Sequence, residues 1–140
     1  VIIFDQNERV CEWVSKVIGV KNKWRDYQSI GIEKNGEIIG GVVVNEYVEH
    51  ARCSIHCAGV GKRWLNRSFL NAVFNYVFVQ LKCNAVINIV DINNIDSMKF
   101  TKHVGFNQIY TIKGGGENGI DVVIFEMQKI NCKWIGNKNG

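Results

Sequence analysis

With 140 residues, 46% of them apolar and 21% charged, the chain has material for one domain with a real core, and its composition is neither disordered nor fibrous. No apolar run reaches the length of a membrane span, and the opening VIIFDQNERV is too short and too acidic for a signal peptide. A cytoplasmic protein with no membrane partner is expected, and a net charge of +4 suits a phosphate-bearing ligand better than a dedicated nucleic-acid binder.

The first element is a helix in NERVCEWVSKVIGV, where Val10, Trp13, Val14, Val17 and Ile18 recur at helical spacing and Asp5 or Asn7 can cap. Two strands follow in YQSIGIEKNGEIIGGVVVNEYV, joined at Asn35-Gly36, the favoured two-residue hairpin signal. A third strand is HARCSIHCAG. It holds two of the five cysteines, none of which forms a C-x-x-C pair, so neither a disulfide framework nor a structural zinc site is expected. Strand alternation puts Cys53 and Cys57 on one face and His56 on the other, which argues against a shared metal.

NRSFLNAVFNYVFVQL is the clearest helix, predicted from Asn66 to Leu81 with Leu70, Val73, Phe74, Val77 and Leu81 on one face. NAVINIVDI is rich in β-branched residues and suits a buried central strand. IDSMKFTKHVGF reads as a short helix stopped at Gly105. NQIYTIKGGGENGIDVVIFEMQ reads as a closing hairpin that turns through Gly114 to Gly119. The order α-β-β-β-α-β-α-β-β predicts a single α/β (α+β) domain over residues 1–140. Its sheet is mixed, mostly antiparallel and twisted, with helices flanking it.

The junction after the third strand carries the chemistry. A loop with Gly59, Gly61, Lys62, Arg63 and Arg67 runs straight into the Asn66–Leu81 helix. The first N–H groups of a helix lack internal partners and its dipole places partial positive charge there. With three basic residues around it, the junction can hold a phosphate or pyrophosphate. On these residues alone a solvated basic loop is an equal reading.

The next elements add a second pattern: a strand ending in Asn94, Ser97 three residues on, then a short helix closing with Gly105-Phe106. A strand, phosphate loop and helix followed by this unit and a closing hairpin resembles the GCN5-related N-acetyltransferase family, most strongly from Arg52 to Met127. Within that family the chain is similar to the branch that acetylates ribosomal proteins and polyamines, and to small phage-encoded members. It departs from the family at two places. Trp64, Leu65 and Asn66 stand where small residues are usual, and Thr101 stands where many members carry a tyrosine acid.

The resemblance implies the acyl-CoA N-acyltransferase fold and direct acetyl transfer from acetyl-CoA to an amine-bearing substrate, protein or small molecule. It assigns the coenzyme phosphates to the backbone of Val60, Gly61, Lys62, Arg63, Trp64, Leu65, Asn66 and Arg67, with the basic side chains on the phosphates. The coenzyme arm would pair with the backbone of Cys57 and Ala58 as an added strand, and an N–H there would stabilise the carbonyl oxygen. His56 is the candidate base, with Glu46 and Glu49 as alternatives acting directly or through water. Tyr110 and Tyr76 are candidate acids by residue type. Asn94 either orients the coenzyme or substrate or simply caps the next helix. Family members often dimerise through the late strands, so a homodimer is possible. The rival readings are an acyl-CoA-binding module without efficient chemistry, and a basic nucleic-acid binder. The second is disfavoured because Phe69, Phe74, Phe78 and Phe100 sit at core spacing.

Overall fold

The computed structural model describes residues 1–20, 24–62 and 64–136. Its elements are β1 (Ile2–Ile3), α1 (Asn7–Ile18), β2 (Gln28–Lys34), β3 (Glu37–Val48), β4 (Arg52–Gly59), α2 (Arg67–Asn75), β5 (Ala85–Asp91), α3 (Ile95–Val104), β6 (Asn107–Ile112) and β7 (Val122–Gln128). The strands form one sheet in the order β1-β2-β3-β4-β5-β7-β6. Every pairing is antiparallel except β4 with β5. This is the expected mixed sheet.

Two apolar clusters cover its two faces. On one face α1 buries Val10 and Val14 against Val43 and Ala58. On the other, α2 and α3 pack Phe69, Phe74, Phe78, Val104 and Phe106 against β4, β5 and β7, joined by Cys132 and Ile135 from the C-terminal segment. Three of the four phenylalanines expected in the core are fully buried and Phe100 is half-buried.

Four local expectations are corrected. β1 is an additional edge strand, whose two residues are too few to show a period. Neither Asp5 nor Asn7 caps α1. The N-cap is Gln6 without a side-chain bond, while the Asn7 carboxamide oxygen accepts from the Ser29 N–H at 2.9 Å and so ties the helix to β2. The long helix begins one residue later than expected, at Arg67, and changes to a π turn over Tyr76–Gln80. That wider turn rotates the buried face, so Phe78 is fully buried and Leu81 only half-buried. β5 is central but buried on one side only: Val86, Asn88 and Val90 face the α2–α3 layer, whereas Ile89 is 51% exposed.

Candidate active site

β4 and β5 pair for only three residues, Arg52–Ser54 against Ala85–Ile87. Beyond Ser54 the two strands separate, so β4 from Ile55 to Gly59 has β3 on one side and, among the described residues, no strand on the other. The chain then enters the loop to α2. A parallel pair that opens toward its C-terminal end, with a helix N-terminus at the mouth, is a cleft with hydrogen-bonding backbone along one wall.

The loop lines that mouth in a way the sequence did not suggest. The Val60 N–H is engaged by the Ile39 carbonyl at 2.8 Å, extending the β3–β4 ladder by one bond. Gly61 has φ +66°, where a side chain would be strained. Lys62 is exposed, and Leu65 is half-buried with its N–H on the Lys62 carbonyl at 3.2 Å. Arg63 lies outside the described residues. Asn66 spends its side chain as the α2 N-cap, accepting from the Phe69 N–H at 2.8 Å. Arg67 turns outward, its guanidinium 6.0 Å from the centre of the Trp134 ring. Of the two described basic residues, Lys62 is exposed and Arg67 is drawn toward the Trp134 ring.

Trp64 is the largest departure. It is 6% exposed, and its indole lies on the backbone of Gly59 and Gly40, where a Cβ on either glycine would collide with it. Its Nε1 donates to the Gly61 carbonyl at 3.1 Å. The ring meets Phe69 of α2 at 6.2 Å and Phe100 of α3 at 5.0 Å. Trp64 thus joins β3 and β4 to α2 and α3 on that face of the sheet. The cavity left there, between Ile55, Cys57, Asn88 and the aromatic rings, holds about 10 Å³, room for about one water.

His56 sits on the opposite face, beside α1. Its Nε2 lies 2.9 Å from the Asn45 carboxamide oxygen, and its ring stacks on Trp24 with centroids 4.5 Å apart. Asn45 is itself buried on β3, immediately before an irregularity in the β3–β4 ladder. Glu46 follows it with φ +51°, exposed, and accepts from Ser54 Oγ at 3.4 Å. The fold therefore gathers Trp24, Asn45, Glu46, Ser54 and His56 on one side of the cleft. Of these the sequence reading named only His56 and Glu46. Asn45 did leave a signal, because a lone amide ending the run GGVVV in a strand needs a partner once buried.

Burial holds the His56 imidazole down at about pKa 4, so it is neutral at pH 7. The unfolded chain takes up this proton below about 6.5, and the folded chain refuses it until about 4. Stability is thus complete above about pH 6.5 and falls by up to about 3 kcal/mol between there and pH 4. Urea unfolding of wild type and His56→Gln across that window checks this, and the same pH slope in both would refute it.

The remaining candidates lie elsewhere. Tyr110 is 65% exposed on β6, two strands removed from β5. Tyr76 begins the π turn and packs on the α2-side core, where burial raises its pKa. Glu49 stands in the β3–β4 turn, its side chain 80% exposed beside His50. Neither tyrosine nor Glu49 joins the His56 cluster. Asn94 caps α3, accepting from the Ser97 N–H at 3.1 Å. Thr101 is fully buried, donates to the Ser97 carbonyl at 2.7 Å and accepts from Asn88 at 3.1 Å, so its hydroxyl belongs to the helix–sheet contact. Ala58 packs toward α1, and Cys57 points to the α2 side with its thiol pushed up to about 12 by burial. Among the described residues, no three His, Cys, Asp or Glu side chains could hold a metal ion together, and no helix is long and apolar enough to cross a membrane.

No family model and no curated protein matches the sequence. Solved structures do resemble its fold. The F149G mutant of SpeG spermidine N-acetyltransferase from Vibrio cholerae superposes with a TM-score of 0.74 at 14% identity, covering 91% of this chain and 92% of that one. Ribosomal-protein-alanine N-acetyltransferase from Brucella melitensis gives 0.70 at 12% identity, covering 91% and 99%. A GNAT-family acetyltransferase from Bacillus anthracis gives 0.57 at 17% identity, covering 84% and 71%. Identities this low speak to architecture and not to substrate. The strand order, the opening between β4 and β5 and these superpositions together give the chain the fold of the GCN5-related N-acetyltransferases.

Proposed function

We propose that the protein is an acetyl-CoA-dependent N-acetyltransferase acting on an amine. The observation that carries this reading is the unpaired edge of β4 opening onto the N-terminus of α2. That edge fits an amide-bearing arm laid alongside it as an added strand. The N–H groups of Arg67 and Ser68, first in α2, fit the phosphates with Lys62 beside them. When bound, acetyl-CoA supplies the activated acyl group: the amine nitrogen forms a bond to the acyl carbon, the carbon–sulfur bond breaks, and its electron pair leaves with sulfur. The β4 backbone orients the thioester. His56 accepts the proton that the amine loses, at the ring nitrogen not bonded to Asn45. Water supplies the proton to sulfur, since neither candidate tyrosine reaches the cleft. Glu46 gives the acceptor side a negative charge that attracts a cationic amine.

The aromatic filling of the cleft favours one second reading. Trp64 and Phe100 leave about 10 Å³ on the α2–α3 face, which suits a module that holds acyl-CoA weakly and turns it over slowly. The melting temperature with acetyl-CoA, 3′-dephospho-CoA and desulfo-CoA separates the outcomes. Acetyl-CoA at a hundred times its dissociation constant stabilises the folded state by about 2.7 kcal/mol. Release of free thiol on adding amines then establishes transfer. A shift without thiol release favours the binding module, and no shift at millimolar ligand rejects both readings.

A further inference from the structure

β3 delivers a polar atom to the His56 ring, the Asn45 carboxamide oxygen. Asn45 is 5% exposed, and a buried amide is costly unless it is bonded. It ends the run Val42-Val43-Val44, and the ladder to β4 loses its register directly after it, between Asn45 and Val48. Irregularities of this kind re-aim side chains beside functional sites. Ser54, the residue opposite Asn45 on β4, has its hydroxyl on Glu46 instead. The carboxamide oxygen is thereby left to the imidazole, 2.9 Å from Nε2.

The chemistry of that contact is specific. An amide oxygen accepts but does not donate, so Nε2 carries the ring proton and Nδ1 keeps its lone pair. A carboxylate in the same place would also fix the ring, but it would stabilise the imidazolium and hold the base protonated. Asparagine orients the ring without charging it. Trp24 closes one face of the ring, at 4.5 Å, and so restricts its rotation.

We infer that Asn45 is a positioning residue: it holds His56 in the Nε2–H tautomer with Nδ1 presented to the acceptor amine. This rests on the proposed role of His56 as the base. The two are separable by a double-mutant cycle and by a measurement that needs no turnover.

In the cycle, Asn45→Ala lowers kcat about tenfold in the wild-type background, leaves the KM for acetyl-CoA unchanged, and has no further effect on kcat in His56→Gln. In the resting protein, Asn45→Asp raises the titration midpoint of His56, followed by NMR of its ring protons, by at least one pH unit. An equal kcat loss from Asn45→Ala in both backgrounds would make Asn45 merely structural and leave His56 as the base. An unchanged midpoint in Asn45→Asp would show that the side chain does not address the ring, and would overturn the inference. A raised midpoint with no turnover in any variant would overturn the catalytic reading itself and reduce the contact to a fold element. Asn45→Asp also covers the case in which the alanine variant fails to fold, since it keeps the shape of the side chain.

Discussion

Replacing Trp64 by alanine lowers the unfolding free energy by about 3–5 kcal/mol, the range for deleting a large buried aromatic side chain. The ring is 6% exposed and contacts the backbone of Gly59 and Gly40 as well as Phe69 and Phe100. It is the piece that joins β3 and β4 to α2 and α3. The mechanism is checked by a second substitution. In the wild-type background Gly59→Ala costs about 1–3 kcal/mol or more by overpacking, because the three nearest atoms to its new Cβ all belong to Trp64. In the Trp64→Ala background that cost falls below about 1 kcal/mol, since the collision is gone and the two changes share one space. Urea unfolding of the four proteins measures this, and strictly additive losses would show that Gly59 is glycine for some other reason.

His56→Gln lowers kcat/KM for acetyl transfer by about 10²–10⁴-fold, the usual contribution of a positioned general base. This corresponds to about 2.7–5.5 kcal/mol of transition-state stabilisation. The thermal shift with acetyl-CoA stays at its wild-type size, because the imidazole lies on the α1 face, stacked on Trp24, and the loop proposed to hold the phosphates leads to α2 on the other. The pH dependence carries the sign of the pKa. With the ring held at about 4 by burial, activity is lost only as pH falls toward 4, and not around 6.5 as for an exposed histidine. Above that limb the rate rises with pH as the acceptor amine loses its own proton, up to the pKa of that amine. A variant that keeps its rate within threefold would transfer the role to Glu46 through water, for which Glu46→Gln is the next substitution.

The sequence by itself determined the order of elements from α1 onward. A period of 3.6 in apolar residues reports which atoms must leave water, and it did so for Val10 and Val14 of α1 and for Leu70, Val73, Phe74 and Val77 of the long helix, whereas Val17 and Ile18 are 48% and 42% exposed; the β2–β3 hairpin was legible from its Asn35-Gly36 turn. The glycine that stops α3 was equally legible, because a left-handed residue there demands it: Gly105 has φ +118°. The basic junction and the Asn94-to-Phe106 spacing were enough to reach the fold, because both are local features of the chain.

What only the tertiary structure decided concerns contacts between distant residues. Trp64 reads as an awkward residue in a glycine loop, and it becomes a core residue only because Gly40, on another strand, leaves room for its ring. Thr101 reads as a missing acid, yet it is fully buried and bonded to Asn88, thirteen residues earlier. The π turn at Tyr76 was invisible because a single wider turn, bonded i to i+5, is too short to show a period of its own, and it is seen only as the shift of the buried face from Leu81 to Phe78. His56 was legible as a titratable group on a strand. Its neutrality and its orientation come from burial, from Asn45 eleven residues before it and from Trp24, and those exist only once β3 and the segment after α1 have closed around it.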